Sequence, residues 1–313
     1  MTPPQFLDRI STWIPDAERR HHFRLLTATV AASVLLIALA LSGFSYYTLD
    51  LPQRFLHPKH AQLRSSGAVG LRLGMLGAAM FLGLYLYPIR KRWKWLGRIG
   101  KTRHWLDFHI LVGLTAPLVI TFHSSFKLQG IAGVAYWIMI AVTVSGVVGR
   151  YLYAQIPRSL SAAELSLKEL QEMGESHARE LETQRLVSRE ELAPLLRLPA
   201  SMEVKVMSLA GVLAAMIWFD LRRLFLVGAL RRRSMGPAEM LLTLGGLLPT
   251  GHLELETVVR AARRQSWIAA KILFLGRAHQ VFHLWHVVHR PFSYSFAVLA
   301  GVHIGVVILL GYY

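Results

Sequence analysis

The chain has 313 residues, 53% of them hydrophobic and 17% charged, with a mean hydropathy of +0.39; soluble domains carry about 25% charged residues, so a soluble globular fold is excluded. Thirty-five Lys and Arg against 18 Asp and Glu give a net charge of +17. The cations gather beside apolar runs, which fits positive-inside bias and anionic lipid rather than nucleic acid, and the lack of cysteine excludes disulfides and thiolate-bound metal centres within this chain.

In chain order, the first 22 residues are polar and aromatic, end in Arg19-Arg20-His21-His22 and do not read as a cleaved signal. Apolar runs long enough to cross a bilayer follow at residues 23–43 and 67–87, the second stopped by Pro88. Between them, residues 48–66 carry His57 and His60, read as solvated. Residues 89–104 hold seven cations interleaved with Trp93 and Trp95, with Trp105 next. That pattern marks a cytoplasmic interface and puts the N-terminus inside. The third span covers residues 105–126 and the fourth residues 131–153.

Residues 158–278 change character. Residues 161–196 read as solvated amphipathic helix. Residues 207–230 are apolar but contain Asp220, Arg222 and Arg223, which are costly at bilayer depth. A helix lying in the inner interface is therefore preferred there, with a sixth span as the alternative. The last span covers residues 291–313. The expected fold class is all-α: a polytopic transmembrane bundle of five spans, or six, with a cytoplasmic helical insertion. The divisions are 1–157 for spans one to four, 158–278 for the insertion and 279–313 for the final span, in the cytoplasmic membrane.

Two histidine pairs stand out. His109 and His123 lie 14 residues apart on the third span; His289 and His303 lie 14 apart at the last. Fourteen residues advance a helix by roughly 21 Å and return to within about 40° of the same face. Two such helices facing each other offer two bis-imidazole sites stacked across the bilayer, the ligand set a haem iron needs. Five spans pair His109 with His289 and His123 with His303; six spans exchange the partners. Pro291 marks His289 as the place where the last helix begins or kinks. His279, His283 and His286 form a further stripe. The sequence leaves open whether they hold a third haem or a metal, move protons, or simply sit at the interface. His283 or His286 is the substitute ligand should His289 not serve. His104 is placed with that stripe, and Asp107 either orients a histidine, passes protons to a quinone, or starts a helix.

Paired helices of the form His-x13-His resemble the dihaem cores of respiratory b-type cytochromes and ferric-reductase-like membrane proteins. The matching residues are His109, His123, His289 and His303, on two helices covering under a fifth of the chain. The resemblance implies two haem b groups, transmembrane electron transfer and exchange with quinone. The chain lacks a Pro-Glu-Trp-Tyr quinol motif and a flavin or nicotinamide domain. It therefore reads as an electron-transfer subunit of an oxidoreductase, with the insertion as dock for a soluble flavin or iron–sulfur subunit. Arg150, Arg290 and Arg103 at the inner side, and Lys127 and Arg72 at the outer, are candidate partners for haem propionates. The rival readings are a histidine-based metal or proton transporter and a cofactor-free anchor subunit.

Overall fold

The computed structural model describes residues 16–156, 172, 175–176, 187–232 and 235–311. Within them the elements are α1 (Asp16–Tyr47), a short 3-10 turn (Arg54–Leu56), α2 (His60–Leu63), α3 (Ala68–Arg92), α4 (Lys94–Gly97), α5 (Thr102–His123), α6 (Gly130–Gln155), α7 (Arg189–Leu196), α8 (Ser201–Val206), α9 (Leu209–Arg232), α10 (Pro237–Leu242) and α11 (Leu253–Leu309). No strand occurs among the described residues. Five helices, α1, α3, α5, α6 and α11, are long and apolar enough to cross a membrane. At most 22% of any of their apolar windows is buried, so most of that surface is left for lipid. The protein is an all-α, multi-pass membrane protein, with five such helices among the described residues. Most of the amphipathic segment at 161–196 lies outside the described residues; its end is α7, started by a capping box between Ser188 and Glu191.

Three boundaries differ from the sequence expectation. Pro88 does not stop its helix, for α3 continues to Arg92. Helix α5 ends at His123 rather than at 126, because Ser125 and Phe126 take left-handed backbone angles of +49° and +60°. Helix α11 neither begins nor breaks at Pro291: 57 residues run continuously from Leu253 to Leu309. His289 is therefore well inside a helix.

The chain divides into two compact units, one of Met1–Val147 with His289–Tyr313, the other of Val148–Val288. In the first, α3 and α5 pack antiparallel through small residues. A Cβ at Gly77 would strike the Ile120 side chain, and one at Gly113 would touch Leu84. Helix α11 is tied to α3 where Tyr85 Oη donates to Ser293 O at 2.9 Å and Phe81 meets Phe296 edge to face at 4.6 Å. Buried Arg54 donates to the carbonyls of Tyr47, Leu49 and Ser125, joining the end of α1 to the end of α5.

In the second unit, α9 packs on α11 around Val212, Met216, Phe274 and Ala278 at one end, and Val227, Val258 and Ala262 at the other. The ionisable groups inside α9 find partners. Asp220 pairs with Arg223 at 2.7 Å and accepts from Tyr151 Oη at 2.6 Å, while Arg223 Nε donates to Ser266 Oγ. Arg231 makes a two-pronged ion pair with Glu256 at 2.8 and 2.7 Å, both side chains under 10% exposed. Gly149 leaves room for the Trp285 indole, which a Cβ would approach to 2.1 Å. Gly149→Val is expected to destabilise this unit by about 1–3 kcal/mol, measured by denaturant unfolding in detergent.

Candidate cofactor site

All four histidines of the two spaced pairs belong to the first unit. His109 Nδ1 lies 3.1 Å from Leu84 O, and His123 Nδ1 lies 2.8 Å from Gly70 O. A carbonyl only accepts, so each Nδ1 carries the proton and each Nε2 keeps its lone pair, the form that ligates a metal. Leu84 and Gly70 are themselves 14 residues apart on α3. The antiparallel helix thus supplies one backbone acceptor to each ring at matching spacing.

The two acceptors are opened by different means. In a regular helix Leu84 O would accept from the N–H of residue 88, but Pro88 has none. The histidine takes the freed acceptor. At the other level, Gly74 lacks the side chain that would block the way: its Cβ would lie 2.6 Å from His123 Cε1. The ring fits over Gly74 and reaches the carbonyl one turn back.

On α11, His289 Nδ1 lies 2.6 Å from Ser145 Oγ of α6. Ser145 Oγ also donates to Val142 O at 3.0 Å. Gly146 faces the same ring, its Cβ position 3.7 Å from Cε1. His303 is exposed. All four rings thus share the first unit, and His109 and His289 each have an Nδ1 partner on a different neighbouring helix, Leu84 O of α3 and Ser145 Oγ of α6.

Among the propionate candidates, Arg72, Lys127, Arg150 and Arg290 are exposed. Arg103 is also exposed and faces Glu18 at 3.6 Å. His283 is exposed, and His286 Nδ1 bonds Phe282 O at 3.1 Å within α11, its ring edge-on to Phe282 and Trp285. His104 has its partners on α1. It stacks on His21 at 3.6 Å and contacts Glu18 at 3.4 Å, while Asp107 accepts from His21 Nε2 at 3.1 Å. The histidine that Asp107 orients is therefore His21 of α1. His57 and His60 are half-buried rather than solvated: Tyr46 Oη sits 3.2 Å from His60 Nδ1, and His57 Nδ1 accepts from the Lys59 N–H. His177 lies outside the described residues.

Among the described residues no group of three or more His, Asp or Glu is placed to hold a bare metal ion. A haem iron asks the protein for only two axial ligands, so single imidazoles on neighbouring helices would suffice to hold it. The backbone partners of His109 and His123 escape the sequence reading because they act through carbonyls; Pro88 and Gly74 were the readable traces. No known protein family, curated protein or solved structure matches this chain.

Proposed function

We propose that this protein carries electrons across the membrane on two haem b groups, one held by His109 and His289 and the other by His123 and His303. The observation that supports this most is the paired Nδ1 anchoring of His109 and His123 to carbonyls 14 residues apart on α3. Anchoring of this kind fixes ring orientation and raises ligand basicity. A haem at each site would supply a one-electron couple, and two levels roughly 21 Å apart along α5 divide the bilayer crossing. The chain's own part is to aim the Nε2 lone pairs of His109 and His123, to offer His289 and His303 as their partners, and to exclude water with apolar helices. By positive-inside bias the Arg-rich loop between α3 and α5 faces the cytoplasm, which puts the N-terminus there too. The His109 level is then the inner one. Electrons would come from a soluble flavin or iron–sulfur subunit, with quinone as a further exchange partner.

The test is a dithionite-reduced minus oxidised spectrum of the purified protein, with haem quantified per chain. Two b-type haems per chain are expected. No haem in protein made under haem-sufficient conditions would overturn the reading and leave metal or proton transport as the better account of the buried histidines.

A further inference from the structure

The seven cations between Pro88 and His104 do not share one role. Arg90 is buried and donates to Gly97 O at 3.0 Å, Gly100 O at 2.8 Å and Thr102 Oγ1 at 2.9 Å. It fixes the loop, which turns at Gly100 with a φ of +65°. Lys101 and Arg103 face Glu18 at 3.4 and 3.6 Å, and Lys91 Nζ lies 4.5 Å over the Tyr87 ring. Arg92, Lys94 and Arg98 remain, all exposed, and none has an acidic partner among the described residues. The sequence offers no Asp or Glu nearby, with none between Asp50 and Asp107.

The loop joins two membrane-crossing helices, α3 and α5, so it lies at a bilayer surface. Trp93 and Trp95 are 56% and 61% exposed with ring centroids 6.3 Å apart. Exposed indoles at a helix end settle at head-group depth. We infer that Arg92, Lys94 and Arg98 form a binding site for the phosphate of anionic phospholipid, on a loop pre-shaped by Arg90 and seated by the two tryptophans. Charge complementarity selects the lipid: three unneutralised cations at that depth, on a fixed backbone, favour an anionic head group over a zwitterionic one. This inference does not depend on the cofactor reading.

The test is spin-label resonance of the full-length protein in bilayers containing labelled phosphatidylglycerol or phosphatidylcholine. The wild type is expected to bind the anionic lipid preferentially, by roughly threefold or more. Arg92→Gln, Lys94→Gln and Arg98→Gln together are expected to bring the ratio close to one, with helix content unchanged. Arg263→Gln with Arg264→Gln, two exposed cations on α11, is expected to leave the ratio as it was. High salt on the wild type gives the same reading without any substitution, lowering the ratio by screening. Equal binding of both lipids by the wild type would overturn the inference. So would a ratio insensitive to salt, or an equal loss in the Arg263 and Arg264 variant.

Discussion

His123→Ala is expected to take bound haem from two per chain to one, and Gly74→Val to do the same without removing a ligand. A Cβ at Gly74 would lie 2.6 Å from His123 Cε1 and 2.8 Å from Nδ1, inside van der Waals contact. The ring would swing off Gly70 O, and Nε2 would lose its aim. Loss of an orienting partner of this kind costs about 10–100-fold in metal affinity. Gly77→Ala is the control. Its Cβ would meet Cδ1 and Cγ1 of Ile120 and no histidine, so the helices are expected to repack while both haems stay. Haem per chain by alkaline pyridine spectroscopy reads all three variants. Full occupancy in Gly74→Val would show that this ring is not an axial ligand.

Arg231→Ala is expected to destabilise the second unit by about 3–5 kcal/mol. The side chain is buried and makes both prongs of the Glu256 pair. It also donates to Gly246 O and Leu247 O, so its loss leaves a buried carboxylate and two carbonyls without their donor. Glu256 keeps its bonds from Thr250 N–H at 2.8 Å and Thr250 Oγ1 at 3.3 Å, which do not neutralise it. Arg231→Met with Glu256→Leu removes both charges and is expected to recover much of the loss. Denaturant unfolding followed by circular dichroism measures both. An alanine variant within 1 kcal/mol of wild type would contradict a buried pair.

The five apolar helices are legible in the sequence because hydrocarbon demands long uninterrupted runs and these carry few charges. Segment 207–230 is ambiguous for the same reason: its composition is nearly apolar, and only the fold reveals that Asp220 answers Arg223 and Tyr151. Pro88 reads as a stop because proline lacks a donor and crowds the preceding turn. In the structure it lies one turn before the end of α3, where the helix continues and a histidine takes the vacant acceptor. The spacing of His109 and His123 is written in side chains. Their partners are written in the backbone, which no residue type announces. Arg54, Arg90 and Arg231 are each a buried clamp on a loop, a role that nothing in a chain of net charge +17 singles out.

The pairing of Pro88 with His109 has a consequence for how such a protein matures. Ring orientation at His109 and His123 is set by contacts between α3 and α5. On the proposed haem reading, these two rings need no reorganisation around the group, and its entry costs little ordering entropy. Restoring the missing amide with Pro88→Ala makes the helix compete with the imidazole for Leu84 O. On the haem reading, such a chain is expected to keep its helix content by circular dichroism while carrying less haem at the His109 level.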